Sequence, residues 1–90
     1  MFEVKFKVKS RVGERKLEKF FFGLGLTITM KGALKSIPEN VHWHLKLAKE
    51  KGVCEVTMLK SGELIINCKK NRKAEWINDV AQKMQAEFGA

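Results

Sequence analysis

The chain has 90 residues, enough for one domain with a single modest core and too few for a second. Hydrophobic residues make up 44% and charged residues 31%, with one proline, which excludes a disordered or low-complexity chain. Eighteen Lys plus Arg against ten Asp plus Glu give a net charge of +8, and that balance favours anionic partners: nucleic acid, phosphate groups or an acidic protein face.

Phe2, Val4, Phe6 and Val8 alternate with Glu3, Lys5, Lys7 and Lys9. This spacing predicts a first strand whose outer face is strongly basic. A secretory leader would instead carry a basic segment followed by an apolar one, so none is expected here. After Gly13, Leu17, Phe20 and Phe21 fall three and four apart, as on one side of a short helix over Glu14–Phe22. Gly23 and Gly25 end it. Phe20 to Met30 is the longest uncharged run, eleven residues. A helix that spans a bilayer needs about 18 or more, so no membrane partner is expected. Leu26, Ile28 and Met30 then alternate with Thr27, Thr29 and Lys31 as a second strand. Gly32 to Asn40 reads as a connector in which Pro38 pushes Ile37 toward an extended form.

Val41-His42-Trp43-His44-Leu45-Lys46-Leu47 alternates without a break. Two readings compete. Ser36-Ile37-Pro38-Glu39 resembles a capping box, and Gly52 would close a helix over 37–51. Such a helix would leave Trp43 and Leu47 in water on its far side. A strand buries Val41, Trp43, Leu45 and Leu47 together and is preferred.

Parity extends the pattern. A three-residue loop, Lys60-Ser61-Gly62, places Cys54 opposite Cys68, Val56 opposite Ile66 and Met58 opposite Leu64, with Gly62 where a left-handed residue is needed. A four-residue loop, Lys49 to Gly52, would set Leu47 against Cys54, Leu45 against Val56 and Trp43 against Met58. On the wet face Lys46 would then meet Glu55, and His44 would meet Thr57. In the last segment Trp76, Ile77, Val80, Ala81, Met84 and Phe88 recur at helical spacing, with Asn71 as the expected N-cap. The expected architecture is a single α+β domain over residues 1–90. It has a mainly antiparallel sheet of about five strands, a short helix after strand 1, a C-terminal three-stranded meander and a long C-terminal helix packed on the sheet.

Lys69-Lys70-Asn71-Arg72-Lys73 is the sharpest functional lead. Placed around a helix start, these cations would repel the positive end of the helix dipole, and a phosphate would relieve that conflict. The plain alternative is a solvated Lys-rich turn. Lys5, Lys7 and Lys9 form a second basic stripe, which on an edge strand also guards against edge-to-edge pairing. Phe2, Phe6 and Trp43 are expected to face inward, so the sheet offers no aromatic platform for reading RNA bases.

His42 and His44 form an H-x-H pair on the wet face. They are short of the three or four ligands that a zinc site wants, so no metal site is assigned to them; a register shift by a residue pair would add Glu55. Cys54 and Cys68 lack C-x-x-C spacing and are read as buried small apolar groups in a reduced, cytoplasmic setting. No nucleophile elbow, paired carboxylates or phosphate-binding glycine motif occurs, so the chain is not read as an enzyme, and no cofactor is expected. The favoured expectation is a non-enzymatic binding module with a cationic surface for nucleic acid or another polyanion. The rival is a protein-interaction or self-association module, a homodimer through the wet sheet face with Ile65 and Leu59.

Overall fold

The computed structural model describes residues 2–35 and 39–89. Its elements run β1 (Phe2–Lys7), α1 (Glu14–Gly23), β2 (Leu26–Gly32), β3 (Asn40–Leu47), β4 (Cys54–Leu59), β5 (Glu63–Cys68), a 3-10 turn (Lys70–Arg72) and α2 (Glu75–Phe88). One antiparallel five-stranded sheet has the order β1-β5-β4-β3-β2, so β3 to β5 form the expected meander and β4 is central. The helical alternative for residues 37–51 gives way to β3. The expectation for Ile37 and Pro38 lies outside the described residues.

The alternation of each strand sorts its side chains onto two faces. On one face Trp43, Leu45, Cys54, Val56, Leu64 and Ile66 are almost completely buried. They form one cluster with Leu17 and Phe21 of α1 and with Trp76, Ile77, Val80, Ala81, Met84 and Phe88 of α2. Both helices therefore cover the same side of the sheet. They also meet each other, Phe20 and Phe88 packing edge to face with centroids 5.0 Å apart. No helix among the described residues lies over the opposite face, which carries His42, His44, Glu55, Thr57 and Ile65.

The β4–β5 hairpin has the expected register, Val56 opposite Ile66 and Met58 opposite Leu64. Gly62 sits at φ 91° and its N–H closes the turn on the Leu59 carbonyl at 3.0 Å. The β3–β4 register differs from expectation by one residue pair. Leu45, not Leu47, faces Cys54, and Trp43, not Leu45, faces Val56. A shift by two preserves both faces, so the core set survives while every cross-strand neighbour changes. Lys46 no longer meets Glu55; His44 does.

Strand β2 corrects a second detail. The pairing slips between Ile28 and Met30, a bulge that turns Met30 to the side of His44 and Lys31 to the side of Trp43. Met30 is consequently exposed and lies outside the core. Lys31 instead reaches α1, 3.0 Å from Glu14 and 2.6 Å from Glu18. The Trp43 indole donates to the same Glu18 carboxylate at 3.0 Å. Lys31 first, then Trp43, holds the Glu18 carboxyl below its usual range. This link is complete above the ordinary carboxylate value and is lost as the medium is acidified through the lowered one.

Cys54 and Cys68 are both free and buried. Burial above all, with Cys68 and Glu55 nearby, pushes the Cys54 thiol up to about 12. A thiolate is the reactive form. We therefore expect no titration of Cys54 by a disulfide reagent at pH 8 in the folded protein, and full reaction of both thiols after denaturation. Rapid labelling of native Cys54 would show that its strand end opens freely.

Candidate functional site

Two polar features stand out, one at each surface the fold leaves uncovered. The first is the cationic segment before α2. The helix begins at Glu75 with Ala74 as N-cap, and no side chain caps it, so the expectation of Asn71 as N-cap is corrected. Asn71 lies within the 3-10 turn, where the Arg72 N–H bonds the Lys69 carbonyl at 2.9 Å. The cause is tertiary. The Val53 N–H donates to the Arg72 carbonyl at 3.0 Å, and the Trp76 indole donates to the Lys51 carbonyl at 2.6 Å. These bonds dock residues 72–76 onto the β3–β4 loop and hold Lys73 and Ala74 extended. The helix N-terminal N–H groups thus start at Glu75, whose carboxylate in the first turn offsets part of the repulsion between Lys73 and the positive end of the dipole.

The same docking adds what spacing alone did not reveal. Lys49 and Lys51, some twenty residues earlier in the chain, sit on the loop pressed against Arg72 and Ala74. Lys49, Lys51, Lys69, Arg72 and Lys73 are all exposed. None of these five forms an ion pair with a carboxylate among the described residues. Lys70 belongs to the turn by its backbone.

Lys5, Lys7 and Lys9 are placed elsewhere. β1 is an edge strand, and its register sets Phe2 against Cys68 but Lys7 against Glu63. At about 3.4 Å per residue, Lys7, opposite Glu63, lies roughly 20 Å along the chain direction of β5 from Lys69 at the start of the cationic turn. Lys5 is also engaged with Glu63 at 3.6 Å. The stripe therefore runs along the edge strand away from the cationic turn, and the edge-guarding role suits it. Near that end lies a cavity of about 300 Å³ walled by Val8, Val12, Met58 and Leu64. Two charged residues of its rim, Glu39 and Lys60, pair with each other at 2.8 Å.

The second feature is on the uncovered sheet face. His42 and His44 alternate along β3, and the true register brings Glu55 of β4 opposite His44 and Thr57 opposite His42. One oxygen of Glu55, Oε1, lies 3.1 Å from His42 Nε2 and 3.5 Å from His44 Nε2. The other ring nitrogen of His42, Nδ1, is 2.7 Å from the Thr57 hydroxyl. His42, Glu55 and Thr57 are 3%, 7% and 3% exposed, although no helix covers them. Desolvation, reinforced by neighbouring His44 and opposed by Glu55, holds the His42 imidazole below its ordinary value. His42 is therefore neutral at neutral pH, and the pair is a hydrogen bond between imidazole and carboxylate rather than a full salt bridge.

That network is incomplete. Glu55 Oε2 and Asn67 Oδ1 are buried and have no hydrogen-bond partner among the described residues, and the two residues face each other across β4 and β5. An unpaired buried acceptor costs about 1–3 kcal/mol, more when charged. The ligand atoms of His42, His44 and Glu55 all lie within 4.8 Å of one another. The H-x-H pair was visible in the sequence; Glu55 entered through the register shift, and Asn67 carried no signal beyond its parity.

No helix in the described residues is long and apolar enough to cross a membrane. No protein-family model matches the chain, and neither a curated protein nor a solved structure does, so any function has to be argued from these side chains.

Proposed function

We propose that the protein is a non-enzymatic binding module that holds phosphate-rich polyanions, nucleic acid foremost, without reading their sequence. The observation that carries this is the docking of Lys49 and Lys51 beside Lys69, Arg72 and Lys73, exposed and free of carboxylate partners among the described residues. Cations that gain nothing from internal pairing are available to phosphate, and releasing condensed counterions drives such binding. Lack of sequence preference follows from the aromatics. Trp43 is 0% and Phe6 9% exposed on the core face and Phe2 is half-buried against the core, so the sheet presents no exposed aromatic platform for bases among the described residues. Self-association through the other sheet face has less support, because Ile65 and Leu59 are half-buried and, with exposed Met30 at the edge strand, offer only a small apolar area for a second copy.

A salt titration with mixed-sequence single-stranded oligonucleotides tests the proposal. Five phosphate contacts predict a slope of log K against log salt near −3.5, at about −0.7 per contact. Arg72→Ala with Lys73→Ala is expected to lower the magnitude of that slope by about 1.4 and to weaken every oligonucleotide alike. Lys5→Ala with Lys7→Ala should change it far less. Absence of binding at low ionic strength, or equal losses from the two double variants, overturns the assignment. A concentration-dependent, salt-insensitive dimer in sedimentation would favour the rival.

A further inference from the structure

We propose that His42, His44 and Glu55 form a binding site for a divalent transition-metal ion of the zinc class, with a coordination position left open. The site is built on two adjacent strands in the middle of the sheet, not on a loop, so its geometry is set by backbone pairing. It is separate from the cationic turn and does not depend on the polyanion reading.

Three observations support it. The first is spacing. Both imidazole Nε2 atoms converge on the same carboxylate oxygen at 3.1 and 3.5 Å. Ligands held about 2.0–2.2 Å from a tetrahedral zinc lie roughly 3.3–3.6 Å apart, so the two nitrogen–oxygen separations already stand close to edges of that figure, and the imidazole nitrogens, within 4.8 Å of each other, need only a small side-chain adjustment to complete it. The second is the unsatisfied oxygen. Glu55 is more than nine-tenths buried, one of its oxygens is shared by two imidazoles, and the other, Oε2, has no partner among the described residues. A hydrogen-bonded structural pair would have no need to crowd one oxygen and strand the other, whereas a cation among the three donors uses their lone pairs together.

The third is the surrounding polar groups. Metal-bound histidines donate their outer N–H to a fixed acceptor, which sets the tautomer. Thr57 Oγ1, 2.7 Å from His42 Nδ1, stands in that position. On metal binding, His42 Nε2 gives up its hydrogen and Nδ1–H donates to Thr57, whose hydroxyl turns from donor to acceptor. The open coordination position then suits a water molecule, which has two hydrogens to give. Glu55 Oε2 and Asn67 Oδ1, on residues that face each other across β4 and β5, are buried oxygens that lack a donor among the described residues and would accept them. Two imidazoles and one carboxylate select zinc, cobalt, nickel or copper over magnesium and calcium, which want all-oxygen shells.

The test uses the full chain stripped with a chelator and titrated with zinc chloride against a chromophoric competitor. One equivalent should bind, both histidines should shift in imidazole nitrogen NMR, and Co²⁺ should give the intense visible bands of a four-coordinate site. At zinc 100-fold above Kd the Tm should rise by roughly 10 °C or more. His44→Ala is the decisive variant. His44 is the less buried histidine, so the metal-free Tm should barely move while zinc affinity falls at least 100-fold. Glu55→Gln keeps the shape and should also lose binding. Thr57→Val, which removes no ligand, should weaken zinc by about 10–100-fold. The chain has two histidines, so the NMR readout is unambiguous. Zinc binding weaker than 100 µM, or binding that survives His44→Ala and Glu55→Gln because the cysteines carry it, overturns the site. Oligonucleotide binding should be unaffected by His44→Ala, which separates this failure from that of the polyanion proposal.

Discussion

Trp43→Ala is expected to destabilise the protein by about 4 kcal/mol and to lower Tm by about 15–30 °C. Three losses combine. The indole is 0% exposed and is among the largest fully buried side chains, so truncation leaves a void in the centre of the sheet. Its edge-to-face contact with Phe21, centroids 5.5 Å apart and planes at 75°, disappears, and with it one of the joints between α1 and the sheet. The indole N–H no longer reaches Glu18, which is left to Lys31 alone. Trp43→Phe separates these terms. It keeps a ring against Phe21 and loses the hydrogen bond and part of the volume, so it should cost about 1–2 kcal/mol. Because small domains hold only about 5–15 kcal/mol in total, the alanine variant should be partly unfolded at body temperature. Urea denaturation followed by circular dichroism measures both. A cost under 1 kcal/mol for Trp43→Ala would mean that residue 43 does not face the core, and the assignment of both sheet faces would fall with it.

How far the residues announced this arrangement depends on what a period of two can encode. Alternation in β3, β4 and β5 told which side chains share a face, and the faces are as expected. In the β4–β5 hairpin the register followed as well, because a one-residue slip would bury Asn67 and Lys69 and because Gly62 marks the turn. Between β3 and β4 the register was not legible. A slip of two leaves every residue on its face, and Gly52, read as the end of a short turn, serves another purpose. The turn is made by Lys49 at φ 65° and by the Glu50 N–H bonded to the Leu47 carbonyl. The attraction between Lys46 and Glu55 argued for the wrong partner, since an exposed cross-strand ion pair is a weak guide, worth about 0.2–1 kcal/mol.

Two other departures have the same character. Asn71 is a good cap by residue type, but the backbone around it is committed to Val53 and Gly52, so the helix starts later. Met30 continues an apolar alternation, but one bulge reverses it and hands the inward position to Lys31, which α1 welcomes with two carboxylates. In each case a contact distant in sequence overrode a local preference. The clusters inferred here, the lysines of two segments and the histidines with Glu55, are products of those distant contacts. Composition and pattern could name only the members that are close in sequence: Lys69, Arg72 and Lys73 in one cluster, His42 and His44 in the other.

Gly52→Ala should lower stability by at least about 2 kcal/mol, and Tm by about 8–16 °C, while also weakening polyanion binding. Gly52 has φ 98°, which costs an L residue about 1–2 kcal/mol by itself. A Cβ there would lie 2.7 Å from the Arg72 carbonyl oxygen and 2.9 Å from Ala74 Cβ. The carbonyl is backbone, held by the Val53 N–H, and has nowhere to move without releasing that bond. The strain is therefore relieved by parting the loop from residues 72–76, which separates Lys49 and Lys51 from Arg72 and Lys73. Amide exchange at Val53 and at the Trp76 indole should quicken together, and the salt slope of oligonucleotide binding should flatten. Gly62→Ala supplies the control. Its φ of 91° carries similar strain, but the nearest atom to a new Cβ is Val8 Cγ2 at an ordinary 3.8 Å. It should lose stability through backbone strain alone and keep the salt slope intact. If Gly52→Ala matched Gly62→Ala in both stability and salt slope, the close packing of the two lysine-bearing segments would be refuted, and the cationic site would shrink to the residues of the turn.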